Sequence, residues 1–248
     1  MKKSYLLSSI AFIFLFLLVV EKIEAKDNTH ETTVCQIDCI SPNDSIVSGN
    51  KYWNVCWGIR DSFKVDIVAQ WNSTKKFPGD HLGYGNELGG VMRLCAPSQW
   101  FVDVALSVAY AETKLQVCAV DPASPIEDWP LYKYRHTSIN LPVNAGYSFT
   151  VADVLQMSVL TGLKGTCTVV GSLKGPSGYP SLSLFGEDGV WRRWNLSWSF
   201  GVEFDVDNVS IGVNGDLGLL RLARKDIFRT PIMNESSVNI GVTYWLNR

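Results

Sequence analysis

The sequence predicts an all-β chain: eight antiparallel strands closed into an up-and-down transmembrane barrel, with short periplasmic turns and long extracellular loops. Three observations predict it. Segments of strictly alternating apolar and polar residues recur along the chain, most near the roughly ten-residue length of a tilted membrane-crossing strand. The connections between them alternate long and short without exception. The polar face of the segments is mainly Gly, Asn, Ser, Asp and Thr, not the Lys and Glu of a solvated surface. Small polar side chains suit the crowded interior of an eight-stranded barrel.

The clearest segment runs from Trp194 to Leu219. Trp194, Leu196, Trp198, Phe200, Val202, Phe204 and Val206 share one face; Asn195, Ser197, Ser199, Gly201, Glu203 and Asp205 share the other. Asp207-Asn208 interrupts, and both residue types tolerate the backbone of a tight hairpin turn. Val209, Ile211, Val213 and Leu217 then resume the apolar face. A two-residue turn pairs Val206 with Val209, Phe204 with Ile211, Val202 with Val213 and Trp198 with Leu217, and leaves Phe200 opposite Gly215. A slip of one residue would destroy this match.

The other strands follow in order. Trp53–Trp71 carries Trp53, Val55, Trp57, Ile59, Phe63, Val65, Ile67, Ala69 and Trp71 on one parity, which Asp61 alone interrupts. Unbroken parity favours one strand over two joined at Asp61-Ser62. After a loop with Ser73, Pro78, Gly79 and Asp80, Tyr84–Leu94 is a Gly-rich strand. Ala96-Pro97-Ser98 is a short turn, and Trp100–Tyr110 alternates strongly. The stretch 118–136, with three prolines, reads as a loop. Ile139–Phe149 is the next strand, and Pro142 inside it predicts a bulge or local distortion, because proline cannot donate to the ladder. A short turn over Thr150–Asp153 leads to the strand Leu155–Val169. Val170–Val190 is a long loop, Leu220–Ser236 another, and Val238–Leu246 the closing strand.

The polar face predicts an internal charge network: Arg60, Lys64, Arg93 and Lys164 against Asp66, Glu87, Asp103, Glu203, Asp205 and Asp216. Buried charges require partners, so its expected role is to hold the barrel. Trp53, Trp71, Trp100, Tyr110, Tyr147, Trp194 and Tyr244 lie near strand ends and suit interfacial girdles.

Composition and targeting agree. The chain has 248 residues, enough for one large domain, and its nine Trp, nine Tyr and eleven Phe are a high aromatic share. A formal net charge of −2 excludes a basic nucleic-acid surface. Met1-Lys2-Lys3, the apolar run Tyr5–Val20 and Ile23-Glu24-Ala25 read as a cleaved signal peptide over 1–25. Residues 26–50 are then a polar periplasmic lead and 51–248 the barrel. The apolar run is short for a transmembrane anchor. Export permits disulfides, and the pairing of Cys35, Cys39, Cys56, Cys95, Cys118 and Cys167 stays open. Cys35 and Cys39 could bridge locally; only His30 sits near them, so zinc-site spacing is missing.

Three stretches carry a family resemblance: Thr137-Ser-Ile-Asn-Leu-Pro-Val-Asn-Ala-Gly-Tyr-Ser-Phe149, Leu160-Thr-Gly-Leu-Lys-Gly165 and Val238-Asn-Ile-Gly-Val-Thr-Tyr-Trp-Leu246. From about Tyr52 onward the chain resembles the PorT-like outer-membrane β-barrel family, close in architecture to the OmpA-type eight-stranded barrel. The resemblance implies a bacterial outer-membrane location and a part in export or surface assembly. It implies no catalytic residues. Such barrels commonly end on an aromatic residue; this chain ends Leu246-Asn247-Arg248, with Tyr244 and Trp245 close by.

The expected function is that of a non-enzymatic integral outer-membrane barrel, structural or binding through its loops. Its expected partners are outer-membrane lipid and an envelope protein or extracellular ligand, with no nucleic acid. No catalytic, cofactor-binding or metal-binding residue and no cofactor is assigned. One alternative is a barrel enzyme, lipid-modifying or proteolytic, using His81 or His136, read as lying in or beside outer loops, with Asp80. The other is a soluble exported carrier whose apolar face lines a cavity.

Overall fold

The computed structural model describes residues 54–71, 82–116, 130–152, 155–186, 189, 191–222 and 232–247. The expected signal peptide and polar lead lie outside the described residues, as do Trp53, Asp80, His81, Cys35, Cys39 and Cys118.

Eight strands form one ring: β1 (Asn54–Trp71), β2 (Leu82–Cys95), β3 (Trp100–Gln116), β4 (Leu131–Ala152), β5 (Leu155–Lys174), β6 (Trp194–Val206), β7 (Val209–Gly218) and β8 (Ile232–Trp245). Each pairs antiparallel with its sequence neighbours, and β8 returns to β1, so the sheet has no free edge. Full closure satisfies the backbone N–H and C=O groups that an open edge would leave unpaired. The seam continues past β8. Leu246 N–H donates to Trp57 O at 2.7 Å, and Asn247 clasps β1 by accepting from Trp57 N–H at 2.6 Å and donating to Val55 O at 2.9 Å.

The alternation of connections holds. The short ones at 96–99, 153–154 and 207–208 share one end of the barrel, and the long ones share the other. The hairpin register is the expected one at every pair, Phe200 facing Gly215 included. Asp207 takes the left-handed backbone of the turn, with φ 49°. At 96–99 that conformation falls on Gln99, φ 67°, whose side chain accepts from Tyr147 O–H at 2.6 Å. β1 is one strand across Asp61. Pro142 interrupts the β3–β4 ladder between Val104↔Val143 and Ser107↔Asn140 without shifting the register. The bulges lie elsewhere, opposite Thr137/Ser138 and at Thr150/Ala152.

The structure corrects the sequence reading at the long-loop end. β3 runs on to Gln116, β4 begins at Leu131, β5 continues to Lys174, and β8 begins at Ile232. In the extensions of β3, β4 and β5 the polarity inverts, whereas β8 keeps Glu235 and Ser237 inside. Leu115, Tyr132 and Tyr134 are buried inside, whereas Lys114 points out, as do Lys133 and Arg135, which both pair with Glu112. Over the middle of the barrel the opposite holds. Trp57, Ile59, Leu88, Leu106, Val108, Leu141, Leu163 and Val213 are exposed on the outside, while Lys64, Asp66, Arg93, Asp103, Lys164 and Glu203 are buried within. Asp61 is the charged residue on this outer apolar face, as its parity predicts. An apolar face turned outward cannot line a ligand cavity, so the soluble-carrier reading fails.

Cys56 points into the barrel on β1 and Cys167 outward on β5, which excludes a bridge between those two; Cys95 ends β2.

Phe101 and Gly146, paired across β3 and β4, show how tightly the interior is filled. A Cβ at Gly146 would run into the Phe101 ring, and that ring lies 4.0 Å beneath the Arg93 guanidinium. Gly146→Val is expected to cost about 1–3 kcal/mol by overpacking, read as a lower urea midpoint of the refolded barrel. Adding Phe101→Ala should recover part of that loss, because the two side chains compete for one space.

Candidate functional site

The interior is organised in tiers, each drawing side chains from strands far apart in sequence. Nearest the short turns, Arg93 (β2) makes a two-pronged bond to Asp103 (β3), Nε to Oδ1 and Nη2 to Oδ2, both at 2.7 Å. Arg93 Nη2 also donates to Glu203 Oε2 (β6) at 2.6 Å, and Nη1 lies 3.7 Å from Asp205. Arg60 (β1) completes Glu203 from the other side, Nη2 to Oε1 at 2.6 Å, and bonds Thr243 at 2.8 Å. The planar fork of arginine matches paired carboxylate oxygens. Phe101 and Trp245 lie 4.0 and 4.8 Å from the guanidinium and shield it. Trp245 is fully buried and donates to Ser210 at 2.6 Å.

In the middle tier, Lys164 (β5) donates to Glu87 (β2) and Asp216 (β7), each at 2.9 Å. Ser107 binds Glu87; Ser237 at 3.0 Å and Asn239 at 2.9 Å bind Asp216. Every charge of the expected network therefore faces inward and is engaged.

The upper tier was only half legible. Lys64 and Asp66 (β1) were expected inside, and they form an ion pair at 2.7 Å. Glu235 and His136 join them, each from a stretch read as loop. Glu235 Oε1 lies 3.4 Å from Lys64 Nζ, and His136 Nε2 lies 3.3 Å from Glu235 Oε1 and 3.8 Å from Asp66 Oδ2. His136 is 2% exposed and lies under Tyr134, with ring centroids 4.7 Å apart. It is not on an outer loop but beneath a cover, which corrects its place in the enzyme alternative; His81 and Asp80 of that alternative lie outside the described residues. The signal was present in Leu131-Tyr-Lys-Tyr-Arg-His136, which alternates with reversed polarity.

That cover is an apolar plug. Tyr134 packs on Trp191 at 4.4 Å, and Leu115, Tyr132, Leu173, Leu184 and Leu222 complete the cluster. The β5–β6 connection folds down to supply it: Leu182 N–H donates to Leu173 O at 3.0 Å, and Trp191 N–H to Leu184 O at 2.9 Å. Gly171, opposite His136, leaves the space that Leu184 occupies; a Cβ there would meet Leu184 at 2.7 Å. A second apolar group of Cys56, Val91, Ala105 and Trp245 lies towards the short turns.

In the tiers together, Asp66, Glu87, Asp103, Glu203, Asp205, Asp216 and Glu235 outnumber Arg60, Lys64, Arg93 and Lys164 by three. Carboxyl groups thus exceed lysine and arginine in the buried interior.

No protein-family model matches the chain, and no curated protein matches it. Solved structures similar to it include Ail of Yersinia pestis in complex with the heparin analogue sucrose octasulfate, at 14% identity and TM-score 0.37 over 78% of this chain and 99% of that one. Neisserial surface protein A is similar at 13% identity and TM-score 0.42, covering 77% and 98%. The outer membrane enzyme PagL is similar at 12% identity and TM-score 0.40, covering 75% and 98%.

Removing one partner of a buried ion pair leaves the other charge uncompensated, at about 3–5 kcal/mol. Arg93→Met strands Asp103 and leaves Glu203 with Arg60 alone, and it is expected to fall in that range in urea titrations followed by tryptophan fluorescence. Lys164→Met should be rescued in part by Asp216→Asn, since the second change removes one charge that the first strands.

Proposed function

We propose that the chain is a non-enzymatic integral outer-membrane barrel of the bacterial cell envelope, with its specific function in the long connections. The observation that carries this is the inside-out polarity of a closed ring. Apolar side chains are exposed around the middle of its outer surface, and charged ones are buried within. Such a surface is stable only against lipid, and such a ring has no open edge whose backbone groups would face it unpaired. Trp100 and Tyr147, 5.3 Å apart edge to face beside the short turns, suit the headgroup boundary. In this reading residues 1–25 are the signal peptide, 26–50 a periplasmic lead and 51–248 the membrane domain.

The packed tiers and the plug argue against a diffusion pore. They also argue against catalysis inside the barrel, because among the described residues the charged groups lie beneath the plug and within the packed tiers. Function then falls to the outer connections, through an envelope protein or an extracellular ligand. The three stretches resembling the PorT-like family support a part in export or surface assembly as the finer reading.

Two outcomes are expected. The protein should remain with the membrane through high salt and carbonate, migrate differently with and without boiling, and give no stable conductance in planar bilayers. Recovery in the soluble fraction after salt alone would refute the assignment. Leu106 is 60% exposed and lies midway between Trp100 and Tyr110 on β3. Leu106→Arg should therefore cost about 2–4 kcal/mol, as for a cation near the bilayer midplane, measured by reversible unfolding in lipid vesicles.

A further inference from the structure

We propose that Asp66, His136 and Glu235 form a buried three-ligand site for one divalent metal ion of the zinc class, which ties β1 and β8 to β4 across the barrel. The donor atoms of the three residues all lie within 4.8 Å of one another, and all three residues are buried. His136 Nε2 is 3.3 Å from Glu235 Oε1 and 3.8 Å from Asp66 Oδ2. Around a tetrahedral ion with bonds of about 2.0–2.2 Å, ligand atoms sit roughly 3.3–3.5 Å apart. The first distance already fits, the second needs to close by a few tenths of an ångström, and the two carboxylates, within 4.8 Å of each other, draw together as the ion binds.

The hydrogen bonding points the same way. His136 Nδ1 and Asp66 Oδ2 make no hydrogen bond, and His136 Nε2 and Asp66 Oδ1 are left to the ion-pair contacts with Glu235 and Lys64. Buried polar atoms normally do, and Nε2 is turned towards the two carboxylates. The oxygens of Asp66 divide their work: Oδ1 pairs with Lys64 at 2.7 Å, which leaves Oδ2 for the ion. Lys64 thus orients a ligand, as second-layer partners of metal sites do. Tyr134, stacked on the imidazole, holds the ring plane.

Charge gives the third reason. Carboxylates exceed lysine and arginine by three in the interior, so a divalent cation would remove most of the excess. One imidazole with two carboxylates suits zinc, manganese, iron(II) or cobalt(II) better than the all-oxygen preference of calcium or magnesium. Tyr134 and Trp191 lie between the site and the long-loop end, so the ion enters as the barrel closes and exchanges slowly afterwards.

The test uses cobalt(II) and the full chain with its six cysteines replaced by serine, which excludes thiolate ligands. The protein is refolded with cobalt, passed over a chelating resin, and analysed for metal content and visible absorption. One cobalt per folded barrel is expected, falling at least tenfold in His136→Asn and in Glu235→Gln. Absence of retained cobalt in the folded parent would overturn the proposal. Equal retention in parent and folded His136→Asn would overturn it too, by placing the ion elsewhere. Should the variants not fold, X-ray absorption on the parent decides. A shell of one imidazole with oxygens supports the site, and a shell with no imidazole or more than one refutes it.

Discussion

The rest of the structure depends on one constraint: the wall of the barrel is apolar on the outside over its middle height, so everything polar must be satisfied within. Lipid offers no hydrogen bonds. Closing the ring pairs the backbone, and the alternating pleat then sends every second side chain into a space too narrow for bulk water. A charge placed there has only the opposite wall to turn to. That is why the ion pairs run across the interior, from β2 to β6, from β1 to β6, and from β5 to β2 and β7, as well as between neighbouring strands such as β1 and β8.

This explains the choice of residues in the tiers. Arg93 reaches three carboxylates from one position because its guanidinium carries five donors in a rigid fork. Glu203, with one oxygen on Arg93 and the other on Arg60, links β1, β2 and β6. The serines and asparagines between the charges complete oxygens that a cation alone leaves half satisfied, as Ser237 and Asn239 do for Asp216. Glycines serve the same packing. Gly162 faces Asn144 so closely that a Cβ would meet its Cα at 2.6 Å, and Gly146 admits the ring that shields Arg93.

The same constraint locates the top of the membrane-facing wall. Above Tyr110 on β3 and Thr137 on β4 the outer face becomes charged, with Glu112, Lys114, Lys133 and Arg135, and the inner face becomes apolar. Water has replaced lipid outside, so the inner side chains now form an ordinary hydrophobic core, the plug of Tyr132, Tyr134 and Trp191. His136 and Glu235 lie at the transition, where the core gives way to the charged interior. A neutralising group is most needed there, because the plug takes the place of the water that would otherwise solvate Asp66 and Glu235.

The sequence by itself determined the strand count, the alternation of short and long connections, the hairpin register and the inward face of Arg60, Lys64, Arg93, Lys164 and their six carboxylates. Each follows from local periodicity, because a pleated strand sorts its own side chains whatever it pairs with. It could not determine which charges meet, since Arg93 and Glu203 are 110 residues apart and only ring closure brings them together. It also misread the strand ends at the long loops. A reader seeking apolar faces takes Leu131–His136 and Ile232–Ser236 for loop, because the alternation continues there with its polarity reversed or weakened. Tertiary structure alone decided that these stretches are strand, that His136 is buried rather than poised outside, and that Glu235 stands beside Asp66. The physical reason is that a side chain's environment above the membrane is set by the folded connection over the barrel, which no local pattern encodes.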